Sequence, residues 1–461
     1  MKTRLAGVFL ARLLLGGLGL MLAGRLTAQT VTQIAAGSDH SLFVKSDGGL
    51  WGMGLNGNGQ LGLAGFGETN VPQEIVSNGV VMVAAGYYFS HFQQGNALWA
   101  MGRNDDGELG DGSTNNHYSP EVIYAEGAYT TITALGAGSQ SSHSLYALET
   151  SIRSISKYSY GLWSMGLNNY GQLGDGMYNT NSTSPTNVLS VNASGEISSI
   201  AAGYDHTLYV RPDGSLWGMG DNFYGELGIG STPTSTSNPV MIVSSGVTAV
   251  AAGFGDSFFI KSDGSLWAMG LNQDGQLGDD RSNATVNTPE EVLTGVVAVA
   301  AGEYFALCIR SDGTLWGAGD NGNGQLGGEL FTGFFCPIGV SNVVAIAAGQ
   351  YHSLFIKSDG SLWGMGYNFY GQLGTGDYND RAAPVEIVPP PRPTISSISV
   401  AGTNVVVTWP TNQGGFHLES TTNIIVPSGW GAVSPGVFIV NGQFTVTNPI
   451  SASRQFYRLA E

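Results

Sequence analysis

A unit that recurs seven times, at intervals of 47 to 64 residues, constrains the fold of this chain more than any other feature. Each unit contains Leu-Trp followed by a small residue, Met or Ala, and Gly. Ala-Ala-Gly or Gly-Ala-Gly precedes the tryptophan, and Asn-x-x-Gly-(Gln or Glu)-Leu-Gly follows it. The seven tryptophans are Trp51, Trp99, Trp163, Trp217, Trp267, Trp316 and Trp363. Such periods are typical of solenoids and propellers, in which neighbouring units cover each other's apolar faces.

The pattern within a unit predicts four short β-strands. In the fourth unit we expect strands near residues 200–203, 206–210, 215–219 and 239–243. Asp213-Gly214, between the second and third segments, is typical of a hairpin turn. Pro239 opens the fourth segment and suits the first residue of an edge strand, because proline cannot donate a ladder hydrogen bond. The 70 glycines of the chain fit many tight turns and argue against long helices.

The second segment of most units is apolar on both faces, as in Leu-Tyr-Val from Leu208, so we expect it to be covered on both sides. Four antiparallel strands per unit, stacked against the next unit, form one blade of a propeller. Closing the ring removes exposed sheet edges. We therefore predict an all-β fold: a seven-bladed β-propeller followed by a small C-terminal β-sandwich-like domain.

The chain divides into four segments. Residues 1–28 start with Lys2 and Arg4, continue with a mostly apolar run and end in small residues, which is the pattern of a signal peptide. An uncleaved N-terminal anchor is the alternative, and no later segment is apolar enough to span a membrane. Residues 31–388 carry the repeats, 389–394 form a Pro-rich linker, and 395–461 form a small β accessory domain. We expect a secreted or cell-envelope protein, extracellular or periplasmic.

The formal net charge of −17 limits the classes of partner. An acidic chain without a Lys/Arg cluster repels phosphate backbones, so we expect no nucleic-acid partner. A basic protein or a neutral glycan is compatible with this charge. Cys308 and Cys336 are the only cysteines and form no Cys-x-x-Cys motif, so redox and zinc-ribbon functions are not indicated. Both unpaired thiols and a disulfide fit the sequence.

The motifs Gly-x-x-His-(Ser or Thr)-Leu, Asp-Gly, Leu-Trp-x-x-Gly and Asn-x-x-Gly-Gln-Leu-Gly follow one another in this order. Together they resemble the repeat of the regulator of chromosome condensation family, over roughly residues 31–388. The resemblance implies a seven-bladed propeller. The namesake of the family is a nuclear exchange factor for a small GTPase that also docks on chromatin. Other members are secreted bacterial proteins, and one of them resembles this chain in architecture. No exchange-factor residue maps onto a position here.

The connections that vary between repeats are rich in aromatic residues. In a four-stranded meander the first and third connections emerge on one face and the second emerges on the other. Stiff rings presented by loops suit partner binding, because they cover area at little entropic cost. The predicted partner-binding residues are Tyr87, Tyr88, Tyr204, Phe223, Tyr224, Phe254, Tyr304, Tyr351, Phe369 and Tyr370. The same connections hold Phe66, Phe89, Tyr170, Phe305, Phe331 and Phe335, and some rings could instead pack under neighbouring loops.

The sequence predicts no catalytic residue, no metal site and no cofactor. His40, His206 and His352 share one repeat position but belong to the first, fourth and seventh units. This spacing favours a histidine that bonds nearby backbone over a shared metal ring, and His91 and His143 are displaced from that position. No His-Glu-x-x-His, Gly-x-Ser-x-Gly or phosphate-binding loop occurs.

We therefore expect an exported, monomeric, non-catalytic binding or scaffold propeller that engages a protein or glycan partner through its aromatic loops. Two alternatives stay open. The first, implied by the family resemblance, is a guanine-nucleotide exchange regulator of a GTPase. The second is a lyase or glycosidase that acts in the central funnel. Two carboxylates about 5–9 Å apart in the funnel would favour the enzyme, whereas a funnel of Tyr, Asn and Ser would favour binding.

Overall fold

The structure is a computed structural model that separates into two compact units, Val31–Pro389 and the part from Pro390 onward. The predicted signal peptide, residues 1–28, and linker residues 392–394 lie outside the described residues. Every regular element in the described ranges is a strand, and none is a helix able to span a membrane. The described residues are 29–65, 67–125, 130–152, 157–191, 197, 199–281, 285–328, 332–391, 395–402, 404–410, 417–421, 431–433, 437–449 and 456–460.

Seven four-stranded antiparallel sheets occupy the described part of the first unit, one sheet per repeat. The first four sheets contain β1 Val31–Ala36, β2 His40–Lys45, β3 Leu50–Leu55 and β4 Glu68–Val76; β5 Val80–Ala85, β6 Phe89–Gln94, β7 Ala97–Gly102 and β8 His117–Ala125; β9 Thr130–Gly136, β10 His143–Ile152, β11 Lys157–Gly166 and β12 Ser182–Val191; β13 Ser199–Ala202, β14 His206–Val210, β15 Leu216–Asp221 and β16 Ser235–Val243. The remaining three contain β17 Val247–Ala252, β18 Asp256–Lys261, β19 Leu266–Gly270 and β20 Val286–Leu293; β21 Val296–Ala301, β22 Phe305–Arg310, β23 Leu315–Gly319 and β24 Thr332–Pro337; β25 Val343–Ala348, β26 His352–Lys357, β27 Leu362–Gly366 and β28 Arg381–Val388.

The strands of each sheet lie in chain order, from the first strand at the centre to the fourth at the rim. The first strands converge on a central channel of about 230 Å³, which explains why most of them end in Ala-Ala. Every residue of β14 is buried, so the predicted coverage of the second strand on both sides is confirmed. Its neighbour β15 pairs with it in register, with Tyr209 opposite Trp217.

The prediction that the proline opens the fourth strand was wrong: the proline lies within that strand in six repeats and ends it in the sixth, at Pro337. Strand β16 begins at Ser235, four residues before Pro239. A register shift between Gly218 and Gly220 lets the outer strand continue past the predicted start. Because β16 is the edge strand, the missing N–H of Pro239 still costs no ladder hydrogen bond.

The apolar clusters join consecutive sheets. One cluster packs Leu208 of the fourth sheet against Phe259 of the fifth, with Trp267 at its margin. The same arrangement joins the seventh sheet to the first, where Leu354 packs with Phe43. Fully burying one such side chain contributes about 1.5–3 kcal/mol. Trp267 is partly buried where it packs against the cluster of Leu208 and Phe259, between the two sheets.

Both cysteines are free thiols. Cys308 is fully buried in β22, where it lies opposite Trp316 of β23, and burial raises the pKa of its thiol to about 12. Cys336 is half-buried in β24. Of the two possibilities that the sequence left open, the structure therefore has the unpaired thiols.

Four buried histidines, His40, His143, His206 and His352, each tie their own sheet to the next. His206 Nε2 lies 2.9 Å from Ser257 Oγ, and His143 Nε2 lies 2.8 Å from Thr207 Oγ1. His40 and His352 make the same contact with Ser90 and Ser41. The side-chain partner of each ring is thus a hydroxyl of the following sheet, which the sequence did not predict, and His40 also interacts with the backbone of Phe89, as a bond to nearby backbone would require. The displacement expected for His143 was also wrong, since it opens β10 as His206 opens β14.

The protonation of these histidines follows from their partners. Thr207 Oγ1 donates its hydrogen to the carbonyl of Gln172 at 2.8 Å. It therefore accepts the hydrogen bond with His143, whose Nε2 carries the hydrogen. Burial lowers the pKa of His143 to about 3, with a smaller effect from nearby His206. Both rings are thus neutral at physiological pH and serve as links between sheets.

The described residues of the second unit form two sheets. A four-stranded sheet consists of β29 Ser397–Ala401, β30 Asn404–Pro410, β34 Gln443–Pro449 and β33 Phe438–Val440. A three-stranded sheet consists of β32 Gly431–Ala432, β31 His417–Thr421 and β35 Phe456–Ala460. Trp409, Val407 and Leu418 belong to one buried cluster that draws on both sheets.

Candidate functional site

The asparagine of each repeat builds the third connection of its sheet. Asn222 Oδ1 accepts the backbone N–H of Leu227 at 3.0 Å, and its Nδ2 donates to the carbonyls of Gly230 and Pro233. The Asn-to-Leu bond occurs in all seven repeats. Glu226 Oε2 accepts the N–H of Tyr224 at 2.8 Å. The asparagine and the Gln or Glu are therefore scaffold, and the two residues after the asparagine are the ones presented.

The first and third connections lie on the same face of the ring. The N–H of Asp221, at the end of the third strand, donates to the carbonyl of Asp205 in the first connection at 2.8 Å. The second connection lies on the opposite face, where Gly214 accepts the N–H of Val247 from the start of the next sheet. Residues of the variable connections are thus brought together on one side.

The predicted rings form a chain of contacts across neighbouring sheets. The ring centroids of Tyr204 and Phe254 are 4.7 Å apart, and those of Phe254 and Tyr304 are 5.8 Å apart. Phe223 and Tyr224 meet edge to face at 5.0 Å. Three further predicted residues, Tyr351, Phe369 and Tyr370, all contact Tyr367. The rings of Tyr87 and Tyr88 lie tilted against each other with centroids 4.0 Å apart. We name the ten predicted residues, with Tyr170 and Tyr367, the aromatic face.

Three of the other aromatic residues of these connections are not on the surface. Phe89 and Phe305 are fully buried at the first position of the second strand, where other repeats have histidine. Phe335 is buried against Gly278. Phe66 and Phe331 lie outside the described residues. Tyr367, which sequence reasoning missed, directly follows the third strand of its sheet, and it could have been found by aligning the residue before each repeat asparagine.

A pocket of about 380 Å³ opens on the aromatic face between the fourth and fifth sheets. Its rings are Tyr170, Tyr204, Phe223, Tyr224 and Phe254. Three carboxylates, Asp205, Asp221 and Glu226, lie among them. Phe223 and Tyr204 are exposed to solvent, at 68% and 42%, whereas the side chain of Glu226 is buried, with the residue only 2% exposed. The sequence prediction named four of the five rings and none of the acids.

Among the residues that the structure describes, these carboxylates have no cationic partner. Burial raises the pKa of Glu226 to about 8, and the charges of Asp221 and Asp205 add to the effect. Burial raises the pKa of Asp205 to about 7, and the charge of Asp221 raises it further, while its hydrogen bond from Gln172 acts against this. None of the ion pairs formed by the described residues includes any of the three acids.

The central channel offers little chemistry. Its lining consists of small and aliphatic residues, with Ser139 as the one side chain that carries a polar group. Neither of the linings considered from the sequence, paired carboxylates or Tyr with Asn and Ser, is present there. Within the described ranges, no group of three or more His, Cys, Asp or Glu side chains could hold a metal ion.

Comparison with known families and proteins agrees with this architecture. A family model of the RCC1-like domain matches residues 158–415, and models of the regulator of chromosome condensation (RCC1) repeat match residues 31–60 and 47–92. The chain is 30% identical over 217 residues to the ultraviolet-B receptor UVR8 of Arabidopsis thaliana, covering 46% of each protein. It is 30% identical over 204 residues to the X-linked retinitis pigmentosa GTPase regulator of Canis lupus familiaris, covering 43% of this chain and 19% of that protein. The matches thus span less than half of either relative.

Solved structures show the same fold. Prp20p of Saccharomyces cerevisiae has a TM-score of 0.62 at 20% identity, covering 78% of this chain and 87% of that structure. Human WBSCR16 has a TM-score of 0.60 at 22% identity, and the match covers 71% of this chain and 86% of that structure. The prediction of an all-β propeller fold is confirmed by these matches and by the stacked four-stranded sheets.

Proposed function

The chain belongs to the RCC1-like domain family, and from this premise we propose that it is a non-catalytic binding propeller that engages a protein partner through the aromatic face. The two curated relatives described above are named as a receptor and a GTPase regulator, which supports a binding or regulatory role. A glycan partner is the alternative, since rings on loops also stack against sugars.

The observation that carries this proposal is the unbroken run of rings over three sheets. Tyr204, Phe254 and Tyr304 contact one another in sequence, and each is at least partly exposed to solvent. Phe223 and Phe369 project further, at 68% and 61% exposure. Exposed aromatic residues held on a rigid scaffold are enriched at the energetic centres of protein interfaces. The net charge of −17 favours a basic partner.

The funnel-enzyme alternative lacks support in the channel, because the converging carboxylates lie in the side pocket of the aromatic face. The exchange-factor alternative comes only from the family, and no residue on the aromatic face has been matched to that activity. Release of guanine nucleotide from a GTPase captured by the propeller would support it, and unchanged release would leave simple binding.

We also propose that residues 1–28 direct export, so that the propeller acts outside the cytoplasm or in the cell envelope. The basic start and apolar run of these residues support this. We expect N-terminal sequencing of secreted material from the native host to begin at Gln29. Intact Met1 on protein that stays in the cytoplasm would contradict export.

Removing three rings from the aromatic face should strongly reduce partner capture. The variant Tyr204→Ala/Tyr304→Ala/Tyr351→Ala removes rings from three sheets, and we expect recovery of the partner in pull-downs to fall about tenfold or more, since one hot-spot ring contributes about 2 kcal/mol. The matched control is Val81→Ala/Val297→Ala/Val344→Ala. Each of these exposed valines is the second residue of the first strand of its sheet, toward the face of the ring opposite the aromatic face. Equal recovery with both variants would contradict the proposed role of these rings.

A further inference from the structure

We infer that the pocket between the fourth and fifth sheets binds a cationic side chain of a protein partner, a lysine ammonium or an arginine guanidinium. The inference rests on the proposed function, because it assigns a chemical class to one part of the aromatic face. It depends on a comparison between repeats, on the rings of the pocket and on the unpaired acids among them.

The repeats differ at the residue that supports the third connection. Five of them have glutamine there, at Gln60, Gln172, Gln276, Gln325 and Gln372. The second and fourth repeats have Glu108 and Glu226 instead. Both glutamates accept the same backbone hydrogen bond that glutamine accepts elsewhere, so the scaffold does not require a carboxylate. The charge at these two positions therefore needs a separate explanation.

In the second repeat the chain supplies its own cation. Arg103 Nε lies 3.7 Å from Glu108 Oε1, and its guanidinium also pairs with Asp105 and Asp106. Arg103 directly precedes the repeat asparagine, Asn104. The second repeat thus shows that a guanidinium fits beside the buried glutamate on this face of the fold.

In the fourth repeat the position of that arginine is occupied by Asp221, which directly precedes Asn222. The substitution replaces a positive charge by a negative one beside Glu226, and Asp205 adds a third carboxyl group from the first connection. Ionised carboxylates buried together are costly unless they take up protons or a counter-charge enters. Since no described residue pairs with these acids as a cation, a cation from a partner is the group that would complete the site.

The rings around these acids suit such a cation. A Lys or Arg cation within about 6 Å of an aromatic centroid gains about 0.5–2 kcal/mol, more as the site is desolvated. Five rings share the pocket with the carboxylates, and the volume of about 380 Å³ accommodates one long side chain. Burial of Glu226 and Asp205 raises the pKa of both, so an entering cation would also stabilise their ionised forms.

Capped tripeptides that differ only at the central residue test the chemistry of the pocket. We expect peptides with lysine, trimethyl-lysine or arginine to bind the full-length chain in calorimetric titrations, and the norleucine peptide to bind about tenfold more weakly or not at all. The lysine and arginine arms distinguish the two cations. Equal binding of lysine and norleucine peptides would overturn the inference, as would displacement of all peptides by a neutral oligosaccharide that binds more tightly.

Asp221→Arg tests the comparison between repeats. It copies the second repeat by placing a guanidinium next to Glu226, so we expect peptide affinity to fall about tenfold or more while the protein stays folded. Asp320→Arg makes the same change before the asparagine of the sixth repeat and should leave affinity unchanged. Glu226→Gln, which has the residue of five other repeats, should weaken lysine binding more than norleucine binding. Retained lysine affinity in both Asp221→Arg and Glu226→Gln would overturn the inference.

Partner capture separates this inference from the proposed function. Loss of the partner in both Asp221→Arg and the triple-ring variant supports both. Loss only in the triple-ring variant overturns the cation site and keeps the aromatic face as the binding surface. If neither variant loses the partner, the proposed function fails as well, and peptide binding by the isolated pocket would then be unrelated to it.

Discussion

Replacing Asp256 with asparagine is expected to stabilise the propeller at pH 8 by on the order of 1–3 kcal/mol, and to change its stability little near pH 4. Asp256 occupies the position that holds histidine in four repeats, and it is fully buried. The corresponding hydroxyl of the next sheet is missing, because that residue is Ala306. The buried carboxyl group therefore lacks the partner that the histidines have.

The pH dependence follows from the direction of the pKa shift. Burial raises the pKa of Asp256 well above 3.8, with a smaller effect from the charge of Glu226, while nearby backbone N–H groups act against it. The folded state thus keeps the proton after the unfolded chain has lost it. Stability is highest below the unfolded pKa and falls as pH rises toward the folded pKa. Asparagine carries no proton to lose, so the gain should grow with pH.

Urea denaturation at pH 4, 6 and 8 measures this effect as the difference between the free energies of unfolding of the variant and the natural chain. Asp213→Asn is the matched control, because hydrogen bonds from Ser215 lower the pKa of that exposed carboxyl. Its substitution should slightly reduce stability at pH 8, the opposite sign. A difference for Asp256→Asn that stays constant from pH 4 to pH 8 would contradict the assignment of a raised pKa.

The propeller fold could be predicted from the sequence because the same physical demand is repeated seven times. Leu208 and its counterparts are apolar because the second strand is covered on both sides. The Asp-Gly pair between the second and third strands, as in Asp213-Gly214, marks the hairpin turn. The position of Pro239 within its strand could not be predicted, because a register shift two residues wide is set by hydrogen bonds to the third strand. Local patterns do not specify where such a shift falls.

The site was predictable only in part. Loop aromatics such as Tyr204 and Phe223 were found because variable positions in a repeat are free of structural demands. Phe89 was misplaced because it stands at a boundary between turn and strand, where one position separates a surface ring from a core ring. The acids of the pocket were missed because their meaning lies in the contrast with Arg103 and with the glutamines of other repeats, which requires comparison of equivalent positions.

Replacing Gly374 with alanine is expected to destabilise the propeller by about 2–4 kcal/mol, because two penalties add. Gly374 has φ of +62°, where a Cβ is strained. A Cβ on Gly374 would also lie 2.5 Å from Sδ of Met53 and 3.1 Å from Cδ of Pro72. Met53 and Pro72 belong to the first repeat and Gly374 to the last, so this contact lies at the junction that closes the ring.

Gly376→Ala provides the matched control for this junction. Gly376 lies two residues further along the same loop and has φ of +85°, but a Cβ there would have no atom within 4 Å. The control thus carries the backbone strain without the steric clash and should cost only about 1–2 kcal/mol. Urea denaturation of both variants, followed by tryptophan fluorescence, isolates the packing penalty as the difference between them. Equal losses would mean that the first and last repeats are not packed together as tightly as their neighbours, and the closed ring that holds the aromatic face together would have to be abandoned.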